Sequence, residues 1–124
     1  MTTLLLSTLM TMGIAMIKDT QPVYKVLTNA QWQQLETDGT FAGSEHDLRD
    51  GFIHLSTQSQ LNYVINKYFK GTRPLHIIEF RQESFLEKLV WESNSQGELF
   101  PHLYGEPLRL ELVSAHKFNG QDSR

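Results

Sequence analysis

The sequence predicts a single α+β domain, with a mostly antiparallel, split β-sheet and two main flanking helices. Two observations favour this fold class. Short runs rich in β-branched and aromatic residues recur along the chain, and two of the segments between them carry helix-capping patterns. The 124 residues are also enough for one hydrophobic core of ordinary size.

The first predicted strand covers residues 23–27, which are rich in β-branched and aromatic residues. A helix should follow directly, because Thr28 and Gln31 have the spacing of a capping box. Gly39 is well placed to end that helix. The polar residues 43–49 are predicted to form a loop.

A short second strand is predicted at residues 51–55. Its alternation places Ile53 and Leu55 on one face of the strand, and on the other face Phe52, His54 and Ser56. Residues 57–60 repeat the capping-box pattern and precede the clearest helical spacing in the chain, which consists of Leu61, Val64, Ile65 and Tyr68. Gly71 is predicted to close this second helix.

The second half of the chain is dominated by predicted strands at residues 75–80, 89–92 and 108–113. Between the first two, Phe85, Leu86 and Leu89 suggest a short helical or irregular segment. Residues 93–97 are serine, asparagine, glutamine and glycine, which is typical of a turn.

The chain divides into an apolar extension at residues 1–17, one domain at 22–119 and a polar tail at 120–124. The extension has no basic residue before its apolar run, unlike a signal peptide, and is too short and threonine-rich for a stable membrane span. A start at Met16 is therefore the favoured interpretation, with a cleaved or anchoring segment as the alternative. We expect a cytoplasmic protein in the first case and an exported or anchored one in the second.

Composition and motifs exclude several kinds of site. The chain has no cysteine, which excludes disulfides, thiolate nucleophiles and zinc–cysteine sites. The formal net charge of −3, without a basic run, argues against strong nucleic-acid binding. Glycine-rich phosphate loops, nucleophile elbows and zinc-protease helices are all missing from the sequence.

His54 is the first candidate for chemistry, because it ends a predicted strand beside hydroxyl side chains. It could move a proton or bind a ligand, or it could be a half-buried structural histidine. Asp50 could orient it or only cap the turn at Gly51. Ser56 and Thr57 are good helix caps, and the following helix N-terminus could also bind a phosphate or carboxylate.

A second cluster combines aromatic rings, a histidine and a carboxylate. Its members are Trp91, Glu92, Phe100, His102 and Tyr104. The rings could stack on a base or belong to the core, and His102 and Tyr104 should point the same way if the segment is extended. A metal site formed by His54, His102 and Glu92 is a minority option, and no metal is expected. His46, His76 and His116 have no such neighbours in sequence, and His76 is interpreted as structural.

Four segments, at residues 23–26, 50–57, 90–92 and 99–105, resemble a small bacterial family, domain-of-unknown-function family 952 (DUF952). The resemblance extends from about Val23 to Phe118. It implies a fold similar to that of the ADP-ribosyltransferases, a split β-sheet whose cleft holds NAD in relatives. By analogy, the three positions that act on NAD there would be matched here by Tyr24 and Lys25, then His54, then Glu92 or His102.

The leading functional hypothesis is therefore a protein that binds NAD or a related nucleotide and transfers ADP-ribose. In this hypothesis His54, Glu92 and His102 are the candidate catalytic residues. The candidate ligand-binding residues are Tyr24, Lys25, Ser56, Thr57, Trp91, Phe100 and Tyr104. Two alternatives remain open: a non-catalytic module that binds a nucleotide or small molecule, and phosphate chemistry like that of the RNA 2′-phosphotransferases. The sequence leaves the oligomeric state open.

Overall fold

The computed structural model describes residues 20–120, so the interpretation of residues 1–17 and of the tail beyond Gly120 lies outside the described residues. The eight strands of this part are β1 Val23–Thr28, β2 Thr40–Phe41, β3 Ile53–His54, β4 Leu75–Phe80, β5 Leu89–Ser93, β6 Leu99–Leu103, β7 Leu108–Arg109 and β8 Val113–Asn119. The α-helices are α1 Asn29–Asp38, α2 Glu45–Asp50 and α3 Leu61–Tyr68. Short 3-10 turns occupy Gln58–Gln60, Gln82–Ser84, Leu86–Lys88 and Leu110–Leu112.

Three antiparallel groups of strands make up the β-structure. One sheet has the order β1-β4-β8, a second has the order β3-β6-β5, and β2 pairs with β7. The first two sheets meet where Tyr24 and Ser56 exchange backbone hydrogen bonds of 2.8 and 2.9 Å. The predicted α+β class with mostly antiparallel pairing is thus confirmed.

Helix α1 confirms its predicted capping box, since the Thr28 hydroxyl accepts from the Gln31 backbone and the Gln31 side chain accepts from the Thr28 backbone. Gly39, at a φ of 77°, ends the helix as predicted. Helix α3 begins after a 3-10 turn and ends at Tyr68, three residues before the predicted stop at Gly71.

The predicted loop at residues 43–49 is wrong, because most of it forms helix α2. Ser44 accepts a hydrogen bond from the Asp47 backbone at 3.1 Å, and the Asp47 side chain accepts one from the Ser44 backbone at 2.8 Å. This is a capping box with aspartate in place of the usual glutamate or glutamine. The helix ends at Gly51, whose φ of 86° suits glycine and turns the chain into β3.

The predicted last strand at 108–113 is also corrected. Leu108 and Arg109 form β7, a 3-10 turn follows, and the longest strand, β8, runs from Val113 to Asn119. Strand β8 is an edge strand paired with β4, and most of its residues are exposed. Its sequence therefore lacks the apolar alternation of a half-buried strand, which is why the pattern did not reveal it.

The two faces of β1 and β4 contact different apolar clusters. The larger cluster includes Leu35, Phe41, Ile53, Leu55, Ile78, Phe80, Leu103 and Leu108, all buried. The smaller cluster, formed by Val26, Ile65 and Leu75, fixes α3 against the opposite face. None of the helices within residues 20–120 is long and apolar enough to cross a membrane.

Candidate functional site

A cavity of about 480 Å³ lies beside the junction of the two larger sheets. Its lining comes from β1, α1, α2, β3, α3, β6 and the turn between β5 and β6, so segments far apart in sequence meet around it. His54 and His102 both line it. Its volume falls within the range of about 300–1,000 Å³ that is usual for small-molecule sites.

Asp47 is the electrostatic centre of this site, with a side chain only 2% exposed. Its Oδ2 accepts hydrogen bonds from Lys25 Nζ and from the Ser44 backbone, both at 2.8 Å. Its Oδ1 lies 2.6 Å from His54 Nδ1 and accepts from the His54 backbone at 3.0 Å. Burial alone would raise the pKa of Asp47, but the bonds from His54 and Lys25 hold that pKa well below its usual range.

Lys25 is the buried cation that compensates this carboxylate. Besides Asp47, its ammonium group donates to the His54 carbonyl at 2.9 Å. Burial lowers the pKa of Lys25, and the charge of Asp47 opposes that change. Lys25 therefore positions the Asp47–His54 pair, and little of its charge remains for a ligand.

His54 contacts a second carboxylate through its other ring nitrogen. Its Nε2 lies 3.0 Å from Asp50 Oδ2, and the same oxygen lies 3.1 Å from His46 Nε2. The rings of His46 and His54 are stacked, with their centroids 4.4 Å apart. Asp50 thus contacts the His54 ring, in keeping with the orienting role that the sequence suggested as one of two possibilities. Asp47 holds the ring from the opposite side.

His102 has a carboxylate partner of its own. Its Nδ1 lies 2.7 Å from Glu92 Oε1, and the Tyr104 hydroxyl donates to that same oxygen at 2.7 Å. The β5–β6 register pairs Glu92 with Phe100, so His102 and Tyr104 follow on the same face of β6. The expectation that His102 and Tyr104 point the same way is confirmed.

Burial lowers the pKa of His102, and the hydrogen bond to Glu92 opposes this change. The hydrogen bonds from His102 and Tyr104 lower the pKa of Glu92, which is therefore ionised at neutral pH. An ionised carboxylate only accepts hydrogen bonds, so we assign the ring proton of neutral His102 to Nδ1. Its Nε2 has no hydrogen-bond partner among residues 20–120 and carries the lone pair of a base.

The two histidines face each other across β3 and β6, where they are direct partners in the strand register. Their ring centroids are 5.3 Å apart, in an edge-on arrangement. Phe52 packs against both, stacking on His102 at 4.1 Å and tilting against His54 at 4.6 Å. Two imidazoles, each oriented by a carboxylate at Nδ1, form a unit capable of donating and accepting protons.

The structure separates the remaining predicted ligand-binding residues into two groups. Lys25, Ser56 and Phe100 line the cavity. The others lie outside its lining: Tyr24, Thr57, Trp91 and Tyr104. The candidate catalytic Glu92 also lies outside the lining and contacts His102 instead.

Contacts with nearby residues explain why these side chains lie outside the lining of the cavity. Tyr24 points away from Lys25 along β1, and its hydroxyl donates to Glu79 at 3.2 Å. Trp91 packs against the larger apolar cluster. Thr57 belongs to the cap before α3, where Gln60 accepts from its backbone at 3.0 Å.

Sequence reasoning missed several residues of the site, chiefly Asp47 and the face of α3 made by Tyr63, Lys67 and Tyr68. The Ser44–Asp47 spacing was the available signal for Asp47, but an aspartate in the last position of the box is easy to overlook. Tyr63 and Lys67 lie outside the apolar spacing of α3, and nothing local indicates that they border a cavity.

Three histidines have no candidate site residues beside them in the sequence but contact other rings in the folded protein: His46, His76 and His116. His46 lies against His54, as described above. His76 is buried, as a structural histidine would be, and its Nδ1 lies 2.8 Å from His116 Nε2. Trp32 stacks on both members of this second pair, which does not line the cavity.

Comparisons with known proteins identify a matching protein family and several similar solved structures. The model of a family described as "Protein of unknown function (DUF952)" matches residues 26–116. The crystal structure of protein CC0527 from Caulobacter crescentus is 38% identical over 79% of this chain and 85% of that chain, with a TM-score of 0.75. A crystal structure of a double mutant of CC0527 gives the same values. Its solution NMR structure, also 38% identical, covers 77% and 82% with a TM-score of 0.69. No curated protein matches the chain.

Proposed function

This chain belongs to DUF952, a family of proteins of unknown function, and we propose that the protein binds a nucleotide-type ligand in its cavity and transfers a group from that ligand. The observation that carries the proposal is the pair His54 and His102. Both rings line a cavity of about 480 Å³, and each is oriented by a carboxylate at Nδ1. Oriented imidazoles of this kind are the most common proton-transfer groups in enzymes.

His102 is the better base of the two. Its lowered pKa keeps the ring neutral at pH 7, and Glu92 holds the proton on Nδ1. Nε2 can then accept a proton from an attacking hydroxyl or amine. Glu92 acts through His102 in this proposal, because its Oε1 already accepts from His102 and Tyr104.

A nucleotide suits the chemical character of the cavity wall. Tyr63 and Phe100 present aromatic rings on which a base can stack. Lys67 also lines the cavity and is exposed, so its ammonium group can meet a phosphate. Tyr63 and Lys67 are already in contact, with the ammonium 3.2 Å from the phenol oxygen, so one ligand can reach both.

NAD is the first ligand to test, and ADP-ribosyl transfer is the first reaction. The support is the arrangement of two antiparallel sheets that meet at Tyr24 and Ser56, with the cavity beside the junction. In the proposed transfer, the bond between the ribose C1′ and nicotinamide breaks, and the acceptor forms a new bond to C1′. The acceptor's proton passes to Nε2 of His102.

The test combines binding with turnover. The melting temperature of the full chain is measured with NAD, ADP-ribose and AMP, and free nicotinamide is then quantified after incubation with NAD. A bound nucleotide should raise the melting temperature by mass action, and nicotinamide should accumulate. His102→Gln should abolish nicotinamide release, whereas His116→Gln, a histidine away from the cavity, should not.

Each outcome has a distinct meaning. A melting shift without nicotinamide release rejects ADP-ribosyl transfer and supports the alternative of a non-catalytic binding module. Neither a shift nor release with any of the three compounds rejects the nucleotide proposal. Phosphotransferase-like chemistry is not favoured, because Asp47 already neutralises Lys25, the buried cation of the lining.

A further inference from the structure

Three side chains spaced four residues apart converge beside the cavity: His46, Asp50 and His54. Their candidate ligand atoms all lie within 4.8 Å of one another. Asp50 Oδ2 is central, at 3.1 Å from His46 Nε2 and 3.0 Å from His54 Nε2. Two imidazoles and one carboxylate are a recurrent donor set for divalent transition metals in proteins.

The two distances to Asp50 Oδ2 are close to the edges of a tetrahedral metal site. Metal–ligand bonds of about 2.0–2.1 Å that meet at the tetrahedral angle place neighbouring donor atoms about 3.3–3.4 Å apart, slightly more than these two distances. The two histidine rings lie 28° from parallel. His46 would have to rotate for both lone pairs to meet at one point, and its side chain, 42% exposed, has room to do so.

The carboxylate of Asp47, on the Nδ1 side of His54, is a second feature typical of a metal-binding histidine. Histidines that bind metals usually donate their other ring N–H to such a group, which fixes the tautomer. Asp47 accepts from His54 Nδ1 at 2.6 Å and is itself held by Lys25 and by the Ser44 backbone. The Nε2 lone pair of His54 is thereby directed towards Asp50 and His46.

The architecture brings the three donors together by a sharp reversal of the chain. His46 and Asp50 are one turn apart on α2, and Gly51 then redirects the chain so that β3 returns His54 to the same helix. The plain alternative is an ion pair between Asp50 and one protonated histidine. That alternative accounts for the same distances, and the measurement of Zn²⁺ binding distinguishes the two.

We propose that His46, Asp50 and His54 bind one divalent transition metal of the zinc type. Nitrogen donors favour such a metal over Mg²⁺ or Ca²⁺, which prefer oxygen. Because His46 and His54 line the cavity, the remaining coordination positions would face its interior. The inference departs from the sequence-based expectation of no metal and goes beyond the proposed function, with which it shares His54. In the metal-bound form His54 Nε2 is a ligand, and His102 keeps the proton-transfer role.

The test uses Zn²⁺ alone and the full chain, without nucleotide. After treatment with a chelator and its removal, Zn²⁺ binding is measured by calorimetry, and Co²⁺ binding by visible absorption. We expect one Zn²⁺ per chain, an excess of Mg²⁺ that does not compete, and Co²⁺ bands of a nitrogen–oxygen site. Loss of a ligand in His46→Gln or Asp50→Asn should weaken Zn²⁺ binding at least about tenfold.

His116→Gln is the matched control, since His76 and His116 form a close histidine pair that does not line the cavity. This variant should bind Zn²⁺ like the wild type. The proposal is overturned if the wild type binds no Zn²⁺, if His46→Gln and Asp50→Asn bind it undiminished, or if affinity is lost in His116→Gln instead. Circular dichroism of each variant verifies that it is folded, and both test positions are at least one-third exposed.

Discussion

At the scale of single residues, the site depends on which carboxylate contacts which histidine. The carboxylate of Asp47 is buried and has four hydrogen-bonding contacts, whereas Glu92 is 40% exposed and is shared by His102 and Tyr104. Removal of one partner from a buried charge pair commonly costs about 3–5 kcal/mol, so Asp47 and Lys25 support folding as well as the site. Glu92 can be replaced at a smaller cost, which makes it the better position for probing function.

The Glu92→Gln variant should lower the pKa of His102 further. Burial already lowers that pKa, and the carboxylate of Glu92 is the main opposing influence. His102 is neutral above its pKa, so the pH range in which it can act as a base would extend to more acidic values. Titration of the His102 ring by NMR, from pH 4 to 9, measures the change.

Glu87→Gln is the control for this titration, because Glu87 is exposed and lies in the turn before β5. It should leave the His102 midpoint where the wild type has it. A midpoint that rises in Glu92→Gln would show that the carboxylate does not stabilise the charged ring, contrary to the geometry.

At the scale of secondary structure, the site depends on α2, a helix of only six residues. So short a helix has little stability of its own, and its caps and tertiary contacts hold it in place. It supplies His46, Asp47 and Asp50 to the site. A change that loosens α2 should therefore disturb the site more than an equal loss of stability elsewhere.

Ser44→Ala removes the N-cap hydroxyl of α2 and should cost about 1 kcal/mol of unfolding free energy. It should also shift the NMR signals of the His54 ring, because Asp47 is the residue that the cap positions. Thr28→Ala, which removes the equivalent cap of α1, is the matched control. It should lower stability by a similar amount and leave the His54 signals in place. Equal shifts in both variants would refute a specific role for α2.

At the scale of the whole molecule, two apolar clusters on opposite faces of one sheet hold the two sides of the cavity. The larger cluster supports β3 and β6, which carry the paired histidines. The smaller one fixes α3, which contributes Tyr63, Lys67 and Tyr68 to the opposite wall. The shape of the cavity thus depends on how α3 docks.

Ile65→Ala removes the most buried side chain of α3 and should cost about 2–5 kcal/mol of unfolding free energy. Because α3 is then less firmly fixed, the variant should also lose affinity for whichever nucleotide stabilises the wild type. Chemical denaturation and calorimetry measure the two effects. Leu108→Ala, in the part of the larger cluster that β7 contributes, is the control, because β7 has no residue in the lining; it should destabilise the fold by a similar amount without weakening binding. Unchanged affinity in Ile65→Ala would contradict a role for α3 in shaping the cavity.

The fold was predictable from sequence wherever local rules decide it. The Thr28–Gln31 capping box and the runs of apolar, strand-favouring residues at β4 and β5 depend on residues within a few positions of each other. Strand β8 and helix α2 were missed for the opposite reason. Pairing with β4 stabilises β8, and the contacts of Asp47 with Lys25 and His54 add tertiary stabilisation to the short helix α2 beyond its own capping box.

By itself, the sequence determined the α+β class, helices α1 and α3, strands β1, β4 and β5, and the two histidine segments that belong to the site. Local backbone preference and apolar periodicity are sufficient for those features. Only the tertiary structure decided that His54 faces His102, that Asp47 lies behind His54, and that His46 and Asp50 join it. It also decided that Trp91, which is partly buried, packs against the larger apolar cluster and does not line the cavity. These contacts follow from strand register and from the packing of distant elements, which no local pattern specifies.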